Sequence, residues 1–386
     1  MVQPWMFVHS AREVVAGAGC LSRAAELARK EGRRRPALVL DPWFAGTPTV
    51  LGLAAELQEA CGTAAAIHVV PPGEPGLVAV EGVRAALHAA DPDIVLVLGG
   101  GSAMDAAKVG RMLVSNPGPP KAIAGAAGKP MRPHGSLFIA APTTAGTGSE
   151  VSESAVISVS GGDYKMIFRS PEMTPHAALL DPVLGVTAPL GVTAASGLDA
   201  VTHAVEAYWS RAANPVTDML ALQAMRLLAD SLPRAYGQPD DLPAREACLV
   251  GSMLAAMAFN SAHLGLAHAV SGALGALHGV PHGIGNALAL PHVALFNQDA
   301  APAKAVEIAR IFGGGTAAEA LFRLRARLGL DLGLDTLVPP HALDGVAAGA
   351  MRSGQLRINP RPASQDDIRA LLERMRGAGS GQRENA

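Results

Sequence analysis

Asp199 and His203 stand four residues apart in the run Gly197-Leu198-Asp199-Ala200-Val201-Thr202-His203-Ala204-Val205-Glu206. On a helix that spacing brings both side chains out of one face, one turn above the other, as two ligands of one ion require. Two more histidines punctuate a later apolar stretch, His268 in Gly265-Leu266-Ala267-His268 and His282 in Pro281-His282-Gly283. One carboxylate and three imidazoles suit zinc or ferrous iron far better than magnesium or calcium, which prefer oxygen shells. Each of the four taken alone fits a core histidine or a helix-surface polar residue equally well, so the surrounding chain has to decide.

A second chemistry lies upstream. The apolar run Ile94-Val95-Leu96-Val97-Leu98 enters Gly99-Gly100-Gly101-Ser102. Three glycines permit a tight turn, Ser102 can cap a helix beginning at Ala103, and Asp105 can complete a capping box. The free amides at such a helix start attract a pyrophosphate. A bare strand-to-helix turn reads the same way, and the usual Gly-x-Gly-x-x-Gly fingerprint is absent. Asp41 closes an earlier strand where a carboxylate can accept from an adenosine ribose and repel a 2′-phosphate, which favours NAD over NADP. Pro142-Thr143-Thr144-Ala145-Gly146-Thr147-Gly148-Ser149-Glu150 forms a loop dense in hydroxyls and bare of bulk, able to wrap a ligand or to be a solvated turn.

These residues need a scaffold. Up to about residue 185, β-branched runs (14–16, 36–40, 67–70, 94–98) alternate with helical stretches (21–30, 50–61, 78–90), the pattern of a doubly wound, mostly parallel sheet covered on both faces. From about Thr187 alanine- and leucine-rich helical segments take over, at 197–212, 216–232, 244–258, 261–277, 303–311, 317–328 and 365–376. The expected division is an α/β domain over 1–185 and an all-helical domain over 186–386, with the tail 377–386 disordered. All four metal candidates fall in the helical half.

At 386 residues the chain can bury two cores. A net charge of -2 leaves no basic stripe for nucleic acid. Neither a signal peptide nor an apolar run of about eighteen residues is evident, so a membrane partner is not expected. Cys20, Cys61 and Cys248 lack metal or redox spacing and read as reduced thiols of a cytoplasmic protein.

Five motifs occur together and in order: Gly99-Gly100-Gly101-Ser102-x-x-Asp105-x-x-Lys108, the loop 142–150, Gly197-Leu198-Asp199-Ala200-x-x-His203-Ala204-x-Glu206, Gly265-Leu266-x-His268 and Pro281-His282-Gly283. With them the chain resembles the iron-containing (group III) alcohol dehydrogenase family over nearly its whole length. The resemblance implies a Rossmann-like domain joined to a helical one in a dehydroquinate synthase-like architecture, with one metal in the cleft between them. It also implies NAD(P)-dependent interconversion of alcohols with aldehydes or ketones by direct hydride transfer, and a homodimer or higher homo-oligomer. By position, Asp199, His203, His268 and His282 fall on the family's ligands for Fe2+ or Zn2+. Gly100, Gly101 and Ser102 fall on its pyrophosphate turn, Asp41 on its ribose-reading acid, and Thr143, Thr144 and Thr147 on its adenine and ribose loop. Lys165 falls on a cofactor-contacting lysine, and Ser152 and Ser154 on the strand near the nicotinamide.

One departure stands out. Many members carry a histidine four residues after the third ligand, assigned to proton transfer; here that place is Gly272, in His268-Ala269-Val270-Ser271-Gly272. The proton could leave through a ribose hydroxyl and water, Ser271, His263 or His278 could substitute, or the chemistry has drifted; a pocket role for His278, just before the Gly279-Val280-Pro281 break, ranks above one for His263, and an ordinary structural role above both. Rival readings are a maleylacetate reductase-like or phosphonate-aldehyde-type reductase, with Arg352, Arg357 or Arg361 meeting an acidic substrate, a non-redox dehydroquinate synthase-like cyclase, and a binding protein that has lost catalysis.

Overall fold

The computed structural model describes residues 10–124, 130–159 and 165–377. The tail expected to be disordered lies, from residue 378 on, outside the described residues. Two compact units emerge. One holds 10–144 and 148–187, the other 145–147 and 188–377.

The first unit runs β1 (Glu13–Ala16), α1 (Arg23–Lys30), β2 (Pro36–Leu40), α2 (Pro48–Cys61), β3 (Ala66–Val69), α3 (Leu77–Ala90), β4 (Ile94–Gly99), α4 (Gly101–Ser115), β5 (Leu137–Pro142), β6 (Ser154–Ser158), β7 (Lys165–Arg169) and β8 (Ala177–Leu180). Six strands pair in parallel in the order β1-β8-β5-β4-β2-β3, the parallel sheet that the uninterrupted apolar runs predict. Every residue of β2, β4, β5 and β8 is buried, because helices cover both faces. Strand order reverses between β2 and β4. In open α/β sheets the crevice at the carboxyl ends of such a pair is where ligands bind, and there Asp41 follows β2 while Gly99 ends β4.

The sequence reading did not foresee the antiparallel ribbon of β6 and β7. Its strands bury only alternate residues, and Ala155, Ile157, Met166 and Phe168 pack with Val109, Met112 and Leu113 of α4. A half-buried five-residue strand has too little apolar sequence to stand out from a polar loop.

The second unit is helical: α5 (Leu190–Trp209), α6 (Pro215–Gly237), α7 (Leu242–Ala262), α8 (Leu266–His278), α9 (His282–Asn297), α10 (Pro302–Ile311), α11 (Ala317–Arg327), α12 (Leu343–Met351) and α13 (Gln365–Arg374). From Gly197 to Trp209 every residue of α5 is buried, making it the central helix. A Cβ on Gly197 would stand 2.2 Å from Leu232 Cδ1, so α6 can pack against α5 there only if residue 197 is glycine. α7 contains an 18-residue window of mean hydropathy 1.3, apolar enough by length and composition for a membrane span. Instead it packs against α5 and α6 as a core helix.

Three expectations are corrected. The single helix expected over 261–277 is two, because α7 ends at Ala262 and His263 turns to a positive φ of 60° before Gly265 restarts the chain as α8. α9 and α12 were not foreseen as separate helices. Ser102 is not a cap: α4 begins at Gly101 behind a Gly100 cap with no side-chain bond, and Ser102 lies within it. Asp105 therefore closes no capping box. Its carboxylate accepts from Ser149 Oγ at 2.7 Å and from the Val156 amide at 2.8 Å, tying α4 to the loop and to β6.

Candidate metal centre and cofactor turn

Three helices of the second unit deliver the predicted ligands. Asp199 and His203 lie one turn apart on α5, His268 is in the first turn of α8, and His282 opens α9. Ligand atoms of Asp199, His268 and His282 all lie within 4.8 Å of one another. From Asp199 Oδ1 the Nε2 atoms of His268, His203 and His282 stand at 3.7, 3.8 and 3.8 Å. A tetrahedral ion with bonds of about 2.1 Å needs ligand-to-ligand edges of roughly 3.4 Å, so the three edges from Asp199 Oδ1 stand within a few tenths of an ångström of that length, while His203 lies outside the trio whose ligand atoms all fall within 4.8 Å. The rings of His203 and His268 stack at 4.7 Å, and those of His268 and His282 meet edge-on at 5.3 Å.

The tautomers follow from the partners on the far side of each ring. His203 Nδ1 faces the Gly146 carbonyl at 3.2 Å, which can only accept. His268 Nδ1 faces Glu206 Oε2 at 2.6 Å. His282 Nδ1 lies 3.1 Å from Ser271 Oγ, whose one proton goes to the His282 carbonyl at 2.8 Å, so the ring must donate. Each Nδ1 therefore carries the hydrogen, and all three Nε2 lone pairs converge on Asp199 Oδ1. Four converging acceptors, three of them buried and His282 partly exposed, call for a cation, and nitrogen with carboxylate donors fits zinc or ferrous iron.

Electrostatics agree. Burial works to raise the Asp199 carboxyl, but His203, His282, His268 and the Asn286 amide outweigh it and hold it below its ordinary range. Burial, with His203 and His282 adding to it, pushes His268 well below its ordinary value, so the ring is neutral and free to ligate. Burial raises Glu206 to about 7, against the backbone amides of Gly265, Ala267 and His268 and the charge of His203; the Gly265 and Ala267 amides donate to its carboxylate, which also meets His268 Nδ1. Gly265 must be glycine for that contact, since a Cβ would stand 3.0 Å from Glu206 Oε1 and 2.9 Å from Asn359 Oδ1.

Three supporting residues escaped the sequence reading in these roles. Glu206 was one position of a motif, and its i,i+3 spacing from His203 carries no sign that it serves a histidine on another helix. Ser271, weighed as a proton carrier, instead fixes His282. Asn286, one turn after His282, has its Nδ2 at 2.6 Å from Asp199 Oδ1, 3.1 Å from His268 Nε2 and 3.3 Å from His282 Nε2. Glycines admit this packing: a Cβ on Gly283 would meet the Ala195 carbonyl oxygen at 2.5 Å, and one on Gly285 would meet Ser271 Oγ at 2.6 Å.

Gly272 is one turn beyond His268, in the interior of α8, with nothing within 4 Å of the place a Cβ would occupy. His278 is the last residue of α8, and because the helix runs unbroken to it, ten residues of rise set it about 15 Å along the axis from His268. It does not join the ligand set. His263 is exposed at the end of α7. Arg361 lies over the Phe296 ring at 4.0 Å and reaches the Phe296 carbonyl and Asp367, a structural use of one arginine considered for an acidic substrate.

In the first unit the glycine turn and Asp41 adjoin. Asp41 N donates to Leu98 O at 2.9 Å, and a Cβ on Gly99 would stand 2.9 Å from Asp41 Cβ. Gly100 faces Thr144, whose Oγ1 would be 3.2 Å from a Cβ there, and Thr143 N donates to Gly99 O. Gly101 and Ser102 form the first turn of α4, whose start has no side-chain cap. Asp41 caps the short turn after it through Trp43 N. Ser152 is committed elsewhere: buried Lys108 donates to its carbonyl and hydroxyl, at 2.8 and 3.0 Å, and to the Ser154 carbonyl at 3.0 Å. Lys165 pairs with Glu74 at 2.8 Å. Thr147 belongs to the short segment grouped with the helical unit.

Known proteins resemble the chain along its length. Residues 11–182 match the family described as iron-containing alcohol dehydrogenase, and residues 193–376 match the Fe-containing alcohol dehydrogenase family, C-terminal. A 1,3-propanediol dehydrogenase of Klebsiella pneumoniae is 38% identical over 298 residues, 72% of this chain and 75% of that protein. The NAD-dependent methanol dehydrogenase of Bacillus methanolicus is 32% identical over 373 residues, 93% of this chain and 97% of that one. The crystal structure of a 1,3-propanediol oxidoreductase superposes with a TM-score of 0.90 at 33% identity, covering 96% of this chain and all of that one. Motifs, parallel sheet, helical unit and converging ligands agree with these matches: the chain belongs to the iron-containing alcohol dehydrogenase family, oxidoreductases that act on CH–OH groups.

Proposed function

We propose that this chain interconverts a small alcohol with its aldehyde or ketone, using NAD(H) in preference to NADP(H) and one divalent metal, Fe2+ or Zn2+. The observation that carries this reading is the convergence of three Nε2 lone pairs on Asp199 Oδ1, each fixed by an acceptor behind its ring. When bound, the metal supplies Lewis acidity toward the substrate oxygen, so that hydride passes between substrate carbon and nicotinamide.

The chain's own residues do the rest. Asp199, His203, His268 and His282 hold the ion, and Glu206, Ser271 and the Gly146 carbonyl keep the rings aimed. Gly100, Gly101 and Ser102 present the start of α4 to the pyrophosphate. Asp41 reads the adenosine ribose and disfavours a 2′-phosphate, while Thr143, Thr144 and Thr147 line the adenine and ribose and Lys165 reaches the cofactor. Ser152 and Ser154 shape the strand beside the nicotinamide, with Lys108 fixing their backbone. No side chain at position 272 can carry the substrate proton, so we assign its transfer to water and a ribose hydroxyl, with His278 too far along α8 to act directly. Relatives bearing the names methanol dehydrogenase and 1,3-propanediol dehydrogenase suggest short-chain alcohols and diols as substrates.

A cytoplasmic location accords with three cysteines that form no disulfide. For assembly we propose a homodimer or larger homo-oligomer, which would cover the exposed Ile67 and Val69 of edge strand β3; light scattering measures it. The central test is to measure bound metal and follow NADH absorbance against aldehydes, ketones and alcohols with Fe2+ or Zn2+ supplied. His268→Ala should lose metal and turnover while keeping its circular dichroism. Full activity in that variant after chelation would exclude the metal reading.

A further inference from the structure

We propose that Asn286 is a positioning residue that holds the metal ligands together in the metal-free protein and competes with the metal for their lone pairs. The inference rests on the metal reading above and extends it to a residue that is not itself one of the four ligands. Asn286 is fully buried on α9, one turn beyond His282. Its Nδ2 reaches three atoms from three helices: Asp199 Oδ1 on α5 at 2.6 Å, His268 Nε2 on α8 at 3.1 Å and His282 Nε2 on α9 at 3.3 Å. Those are acceptors a divalent cation would use.

The orientation of the amide is dictated by its surroundings. With every Nδ1 committed as a donor, all three neighbours of the amide present lone pairs, and only the NH2 end can meet them favourably. Turned over, the amide would set its carbonyl oxygen against a carboxylate and two imidazole lone pairs. The consequence is visible at the other end, where Asn286 Oδ1 is buried with no hydrogen-bond partner. Buried carbonyls are seldom left so. Here the donor end earns the place, because a buried carboxylate and two ring nitrogens from separate helices all share its two N–H groups.

A cation drawing on the same lone pairs must displace those N–H contacts. Removing the donor should therefore weaken the metal-free protein selectively and tighten metal binding, since the competing state is raised while the loaded state keeps its positive charge. The expected tightening is about tenfold, the ratio set by losing one hydrogen bond to a charged group.

The test uses the full chain, stripped with a chelator, as wild type, Asn286→Leu and Asn286→Ala. Melting points are recorded without metal and with Zn2+, and zinc affinity is measured by competition with a chelating dye. The gap between metal-free and zinc-loaded melting points should widen in both variants by about 3 °C or more, and the zinc dissociation constant should fall about tenfold. Asn286→Leu keeps the branching at Cγ without the donor but adds bulk; Asn286→Ala serves if leucine does not fold, because a cavity would lower both melting points and leave the gap as the readout. An unchanged gap and affinity would make Asn286 a packing residue and overturn the proposal. A narrower gap with weaker binding would overturn it in the other direction, by showing that the amide serves the loaded site. If wild type itself shows no gap with Zn2+ nor, in the same scan, with Fe2+, the metal reading fails and takes this proposal with it.

Discussion

Glu206 Oε2 lies 2.6 Å from Nδ1 of His268, and both side chains are buried. The carboxylate also accepts the amides of Gly265 and Ala267, so one group anchors the start of α8 and sets the tautomer of a ligand on it. A charged acceptor behind an imidazole makes the opposite nitrogen more basic toward a metal. Glu206→Gln keeps the shape but removes the charge and offers one acceptor oxygen for three donors. Zinc affinity should fall ~10- to 100-fold, by dye competition, with circular dichroism preserved. Unchanged affinity would reduce Glu206 to a cap for α8.

Asp41 and Gly99 end neighbouring strands so closely that a Cβ on Gly99 would sit 2.9 Å from Asp41 Cβ. A carboxylate so placed at the sheet's reversal point should set the choice of dinucleotide. In Asp41→Ser the repulsion of a 2′-phosphate is gone and a ribose acceptor is weakened. The ratio of kcat/KM for NADP to that for NAD should rise by at least ~10-fold, from about 1.4 kcal/mol of altered discrimination. A ratio that does not move would relocate ribose recognition to another residue.

Much of this was legible because it depends on local pattern. Buried parallel strands read as apolar runs, and the four candidate metal ligands, which the structure gathers around Asp199 Oδ1, lie in motifs whose order along the chain could be read. The supporting contacts were not legible, since they join residues far apart in sequence: Glu206 with His268, His203 with the Gly146 carbonyl, Asn286 with atoms of three helices. The break at His263 was also hidden, because a histidine at a positive φ carries no glycine or proline to mark it. Ser102 and Asp105 matched a capping box in spacing, yet tertiary contacts took Asp105 to Ser149 and Val156.

Glu150 offers a pH test away from the metal. It is fully buried, and burial raises its carboxyl to about 7, with Lys108 opposing the shift. An acid whose folded pKa lies above its unfolded one contributes stability at low pH, and that contribution is lost as pH rises through the folded value. The window runs from the ordinary 4.5 to about 7. Glu150→Gln removes the ionisation but keeps the shape. Its stability relative to wild type should therefore improve by about 3 kcal/mol between pH 4.5 and pH 8, measured by urea unfolding. A constant difference across that range would mean that Glu150 is ionised without cost.

Gly272 sits in the interior of α8, one turn from His268, with nothing within 4 Å of a Cβ position and no positive φ. A helix-interior glycine costs about 0.5–1 kcal/mol relative to alanine. Gly272→Ala should accordingly raise the melting point by roughly 1–3 °C. A lower melting point would mean that backbone freedom here stabilises the fold. Gly272→His meets no obstacle at its Cβ and introduces an imidazole with an ordinary pKa of about 6.5, on the face that carries His268. If proton transfer in the native enzyme runs through water, the ratio of variant to wild-type kcat for alcohol oxidation should titrate near pH 6–7. The added base should raise the ratio above that pH, and a ratio flat from pH 5 to 9 would show that position 272 does not reach the reacting oxygen.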